Sequence, residues 1–224
     1  MKTKAERIKD IQKRLEDRKL KFPADMSLFD DPVTPRSLEE AASRAIISSV
    51  MAKCAFDLYD AEKPDEIKNE AKRELNRFGV SDLLFKEETK VLTKAYDENL
   101  CDTIGWRYEA ARALLWALGI VGSIDNAKVL NVQEAIEDTY NTVTKFKSKE
   151  EFLAACRFRP DDELSDMFQT YWYYHWNLID GAMFRRRVES INYDVVIERR
   201  RALQWLIYSD SDGSNSWNNI SLDT

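Results

Sequence analysis

The sequence predicts an all-α fold, a single multi-helix domain preceded by an N-terminal helical arm. Three observations carry this expectation. Only six glycines and five prolines punctuate 224 residues, while Ala, Leu, Lys, Glu and Arg abound, which favours long helices with short connections. Apolar residues recur at three- and four-residue intervals rather than in alternation. Capping signatures recur ahead of apolar runs, as in Ser37/Glu40, Asn131/Glu134 and Ser148/Glu151. With 44% hydrophobic and 11% aromatic residues, the chain has ample material for a core.

Residues 1–32 read as the arm and an extended linker, and residues 33–224 as the all-α domain. In the arm, Ile8, Ile11 and Leu15 form a thin apolar stripe on a charged cylinder spanning about residues 3–19, enough to dock but not to build a core. The linker holds Pro23, Pro32 and Pro35 with Asp25, Asp30 and Asp31, a composition that runs extended over a surface. The next helix opens either at Thr34 with Pro35 in its first turn or at the Ser37/Glu40 capping box. From there to about residue 60 its apolar positions leave only a narrow polar edge, the mark of a helix surrounded by others.

Pro64 starts an amphipathic helix through Phe78 that Gly79 stops, and a further helix is expected over Leu83–Tyr96. The stretch WRYEAARALLWALG, residues 106–119, places Arg107 and Glu109 in an otherwise apolar helix ending at Gly119. Two shorter helices follow the caps at Asn131 and Ser148, and two long ones are expected at about 162–187 and 194–208. The polar tail from Ser209 contains Trp217 and Ile220, apolar anchors that should pack it back on the body.

The formal net charge of -6, from 34 Lys and Arg against 40 Asp and Glu, argues against a general nucleic-acid-coating role. Three widely spaced cysteines, Cys54, Cys101 and Cys156, form neither a disulfide framework nor a zinc pattern, and a cytoplasmic location is expected. The charged N-terminus has no signal-like apolar region, and uncharged runs fall short of the roughly 20 residues that cross a bilayer. No Gly-rich phosphate loop, GxSxG elbow or HExxH occurs.

The candidate functional residues are charges set beside apolar stripes. Arg107 shares a face with Ala111, Leu114 and Leu118, and Glu109 with Ala113 and Trp116. His175, the only histidine, aligns with Phe168, Tyr171, Trp172 and Ile179, while Asp180 lies a turn from Trp176 and Phe184. Glu198 and Arg199 flank the stripe of Val195, Ala202 and Leu203. Isolated buried charges are prohibitive, so these six must be paired or line a wet cleft. The favoured reading is a structural polar network; the sharper one is a pocket where Arg107 and Arg199 hold an anion and Glu109, Glu198 or His175 moves a proton. One histidine without neighbouring Cys or carboxylate ligands makes no metal set, and no cofactor is expected. The Arg185–Arg187 and Arg199–Arg201 triplets read as solvated or paired faces.

On VTPRSLEEAASRA (33–45), WRYEAARALLWALG (106–119), EEFLAACRFRP (150–160), YYHWNLIDGA (173–182), VIERRRALQWLI (196–207) and the closing WNNISLDT, the chain resembles the bacterial family described as domain of unknown function 4272. The resemblance implies a mostly helical, intracellular protein, with Arg36, Arg107, Glu109, Trp116, His175, Trp176, Asp180, Glu198, Arg199 and Trp205 at family-like positions. It supplies no substrate, cofactor or catalytic residue. Asn218 and Asn219 stand where acidic residues are common in the family, which counts against an acidic or metal-binding tail.

Two classes of function follow. A non-enzymatic binding or protein-interaction module is favoured by the lack of any catalytic signature. The alternative is an enzyme acting on a small anionic ligand held by Arg107 and Arg199 with a Glu base. The expected partner is accordingly a protein or a small anion, with no membrane and no nucleic acid.

Overall fold

A computed structural model describes residues 2–23, 26–29, 33–128, 131–208, 216–218 and 220–223. The fold is all-α, and the one β-type pairing among these residues is a parallel bridge between Thr34 and Tyr208. Its backbone separates into two compact units, the first from residues 1–36, 125–129 and 159–224, the second from residues 37–124 and 130–158.

The first unit is built on α9, Asp161–Met183, against which α1, Lys4–Glu16, and α10, Tyr193–Ile207, pack. Thr3 and Glu6 form a reciprocal capping box at the start of α1, and Ile11 and Leu15 are fully buried, so the thin stripe docks the arm as expected. Arg7 bonds Asp166 at 2.8 Å, and Arg14 donates to the Thr170 hydroxyl. The linker is held at its backbone by side chains of α9. Asn177 accepts the Lys21 N–H and donates to the Lys21 carbonyl, each at 2.9 Å, and Gln169 does the same between Phe29 N–H and the Ser27 carbonyl. These side chains satisfy peptide groups that an extended segment cannot satisfy itself. Asp25, Asp30, Asp31 and Pro32 lie outside the described residues, as do residues 209–215 and Asn219 of the tail. Trp217 is buried edge-on to Trp205, 5.4 Å between ring centroids, so it anchors the tail as its type predicts.

The second unit wraps α2, Leu38–Asp57, with α3 (Pro64–Arg77), α5 (Glu98–Gly105), α6 (Arg107–Ala117), α7 (Val132–Thr144) and α8 (Lys149–Ala155). Every residue from Ala41 to Ala52 is buried, which a helix achieves only when enclosed on all faces. A 3-10 turn, Ser81–Leu83, and α4, Lys86–Thr93, connect α3 to α5.

Several element boundaries differ from the sequence expectation, each for a local reason. α2 starts at the Ser37/Glu40 capping box, because Thr34 and Arg36 donate their N–H groups to the Ile207 and Leu206 carbonyls instead of entering a helix. The helix expected over Leu83–Tyr96 shrinks to α4, whose start is fixed where the Glu88 carboxylate accepts the Phe85 N–H at 2.8 Å. The unexpected α5 is capped by Asp97, which accepts the Leu100 N–H at 3.1 Å. The helix expected to reach residue 187 ends at Met183: Arg185 turns to φ 52° and the Arg186 N–H returns to the Gly181 carbonyl at 2.7 Å. The arginine triplet at 185–187 thus lies beyond the helix rather than in its last turn.

Gly79 and Gly119 close α3 and α6 in the left-handed region, at φ 63° and 72°. They differ in surroundings: a Cβ on Gly79 meets open space, whereas one on Gly119 lies 2.9 Å from the Arg157 carbonyl oxygen. Gly79→Ala is expected to cost about 1 kcal/mol of left-handed strain. Gly119→Ala adds a backbone clash and should cost at least about twice as much. Urea unfolding of the two variants checks the order; equal losses would mean that the α6 end gives way freely.

Candidate functional site

Three places in the molecule bring functional side chains together. The first is sealed inside the second unit. Glu88, fully buried in α4, receives Arg44 of α2 and Arg107 of α6 on the same oxygen, Oε1, while Oε2 holds the Phe85 N–H. Arg44 also donates to Ser48 at 3.2 Å and lies over the Phe85 ring, 4.6 Å to its centroid. Burial, opposed by Glu88 and reinforced by Arg107, brings the Arg44 pKa down to about 10; the group stays charged at neutral pH. Arg107 and Arg44 are 5% and 4% exposed, so the cluster fixes helices against one another and is closed to a solvent-borne ligand.

The second place is in the first unit. Arg200, 2% exposed, donates to His175 Nδ1, to the Leu222 carbonyl at 2.9 Å and to the Asp223 carbonyl at 2.7 Å. An arginine can only donate, so His175 accepts at Nδ1 and carries its ring proton on Nε2. Burial, reinforced by Arg200, lowers the His175 pKa to about 4, which keeps the ring neutral. Burial likewise brings Arg200 down to about 10, with Asp223 opposing the shift. The arrangement ties the C-terminal strand of chain to α9 and α10.

The third is an open groove of about 380 Å³ in the second unit, between α2, α5, α6 and α7. Its floor is apolar and buried, from Ala55, Cys101, Tyr108 and Ile136. Its rim carries Tyr59 and Tyr96, 63% and 44% exposed, with half-buried Trp106 and the carboxylates of Glu98 and Asp102. The volume lies within the range of small-ligand and side-chain pockets.

The structure distributes the six sequence-predicted residues over both units, each engaged locally. Arg107 joins Glu88 and Arg44, which the sequence had not singled out. Glu109, 1% exposed, lies in the first turn of α6, where the helix N-terminus favours a carboxylate. His175 is bonded to Arg200. Asp180 receives Arg186 at 2.8 Å and Lys21 at 3.3 Å, and these hydrogen bonds, Arg186 foremost, hold its carboxyl below the usual range. Glu198 pairs with Arg201. Arg199 donates to the Tyr171 hydroxyl and to the Asn126 carbonyl, each at 2.7 Å. None of the six lines the groove.

Arg44, Glu88, Arg200 and the groove aromatics were missed. Arg44 had a visible signal, a lone arginine in ASRAIISS on a helix without a polar face. Glu88 had none beyond its capping position. Arg200 had been grouped with a solvated or paired triplet; Arg201 is paired with Glu198, while Arg199 and Arg200 are buried, Arg200 turning inward to His175 and the tail. The cysteines are free and buried; burial raises Cys54 to about 12 and Cys156 to about 11 and raises Cys101 as well, so none is poised as a thiolate nucleophile. Among the described residues no group of three His, Cys, Asp or Glu is placed to hold a metal ion, and no helix is long and apolar enough to cross a membrane.

The family described as Domain of unknown function (DUF4272) matches residues 7–220. No curated protein and no solved structure matches the chain.

Glu88→Gln keeps the shape of the cluster and leaves two buried guanidinium groups without their counter-charge. It should destabilise the fold by about 3–5 kcal/mol. Adding Arg44→Met and Arg107→Met should recover at least half of that loss, as read by urea unfolding; no recovery would show that packing, not charge, holds the site. His175 contributes a separate pH dependence. Its folded pKa of about 4 lies below the ordinary 6.5, so the unfolded chain binds the proton more readily. Its stabilising effect is complete above pH 6.5 and declines as pH falls toward 4, by roughly 3 kcal/mol in all. His175→Gln should flatten the stability curve between those pH values, and an unchanged slope there would assign it to carboxylates.

Proposed function

The chain belongs to this family, whose description assigns no activity, and we propose that the protein is a non-enzymatic binding module that captures a segment of a partner protein in the groove of its second unit. The observation that carries this reading is the contrast between the groove and the charges. Two large aromatic side chains, Tyr59 and Tyr96, stand exposed around an apolar floor beside the half-buried Trp106, the composition of an interface anchor. Arg107, His175 and Arg199, which the sequence singled out for anion holding and proton transfer, are elsewhere, buried and engaged in bonds that hold helices and tail.

The alternative, an enzyme gripping a small anion between Arg107 and Arg199, has less support. Arg107 is held by Glu88, Arg199 by Tyr171 and Asn126, and the groove lining contains carboxylates and no cationic side chain. A reducing compartment such as the cytoplasm suits three unpaired thiols.

A photo-cross-linking amino acid in place of Tyr59, whose side chain packs little, tests the reading in living cells. A discrete protein adduct is expected, reduced about fivefold or more by Tyr96→Ala in the same chain. Adducts that are equally strong with the cross-linker at Leu83, an exposed residue away from the groove, would sink the proposal.

A further inference from the structure

The groove has a sign as well as a shape. Helix α5 presents Glu98, Cys101, Asp102 and Gly105 to it, positions three and four apart and therefore one helical face. That face sets two exposed carboxylates one turn apart over a buried apolar floor. Asp60 follows Tyr59 and Asp97 precedes Glu98 in the chain, both exposed. The phenol of Tyr96 is raised by burial and then by Cys101, Glu98, Tyr59 and Asp60. The lysine that acts on the buried thiols at the back, Lys68, is 9% exposed and donates to the Lys94 carbonyl at 2.7 Å. Among the described residues no Lys, Arg or His lines the groove.

Aromatic faces beside carboxylates favour one ligand chemistry: a cation on an aliphatic stem. The π faces of Tyr59, Tyr96 and Trp106 attract a cation electrostatically, the floor accepts methylene groups, and Glu98 and Asp102 supply charged acceptors at the rim. An anionic segment would meet like charge from both carboxylates. We infer that the groove binds a partner peptide segment presenting an arginine or lysine side chain flanked by apolar residues. This rests on the binding-module reading above and adds to it the charge and chemistry of the occupant.

Isothermal titration calorimetry on the full chain tests it with three probes: a short peptide of alternating leucine and arginine, the same peptide with citrulline for arginine, and free arginine amide. Citrulline keeps the shape and removes the charge. The arginine peptide should bind at least tenfold more tightly than the citrulline peptide, and Glu98→Gln with Asp102→Asn should remove that preference. Both carboxylates are exposed, so the fold tolerates their replacement, which circular dichroism verifies. The inference is overturned if citrulline serves as well as arginine, if the double variant binds the arginine peptide unchanged, if free arginine amide binds as tightly as the peptide, or if no probe binds. In any of these cases a Tyr59 cross-link to a partner would leave the binding-module reading standing, whereas loss of both would remove the two together.

Discussion

One carboxylate, Glu88, makes the interior of the second unit possible. Arg44 sits in the middle of α2, a helix whose residues are buried through three turns, and Arg107 opens α6 beside it. Taking a guanidinium group out of water costs several kcal/mol even after relaxation. Two such groups in one interior would also repel each other. Glu88 answers both with one oxygen and uses the other to cap its own helix. The helices α2, α4 and α6 are therefore registered by a directional contact that apolar packing alone, which tolerates sliding, does not provide.

This use of charge separates architecture from recognition. Groups that in an open site would read as catalytic equipment are taken up by the fold: two arginines by a carboxylate, a neutral histidine by Arg200, a further arginine by a tyrosine hydroxyl and a carbonyl. The same principle runs through the first unit, where Asn177 and Gln169 hold an extended segment by its peptide groups and Arg36 lies over Trp205 while donating to its carbonyl at 2.9 Å. What remains facing solvent in the groove is aromatic and acidic.

The all-α class, the docking arm, the enclosed α2 and the caps at Ser37, Asn131 and Ser148 were legible in the sequence because each is a local signal with a fixed spacing. That Arg107 and Glu109 are buried was also legible, since a charge amid apolar residues at helical spacing has no other place. Their partners were not. Glu88 lies nineteen residues from Arg107 and forty-four from Arg44, and helical periodicity says which face a residue occupies without saying which helix it meets. The groove was invisible for a related reason. Tyr59 and Tyr96 were expected in the last turns of helices that in fact end before them, so periodicity misplaced both, and α5 was hidden because its eight residues are too short to show a clear pattern.

The distribution of the family-like residues bears on what the family shares. Arg107, Glu109, Trp116, His175, Glu198, Arg199 and Trp205 are all buried, and the motifs that carry the resemblance contribute Trp106 and Tyr108 to the groove but neither exposed tyrosine nor either carboxylate of its rim. Residues of the first kind set helix packing, and a likeness carried by them transmits the fold. Rim residues on short helices and connections are free to change without disturbing that packing, and such positions are where binding specificity is set. The buried interior therefore accounts for the family likeness, and the aromatic and acidic rim of the groove lies outside the motifs that carry it. Helix packing and groove rim are encoded in different residues, which is why recognising the family identifies the frame and assigns no ligand to the groove.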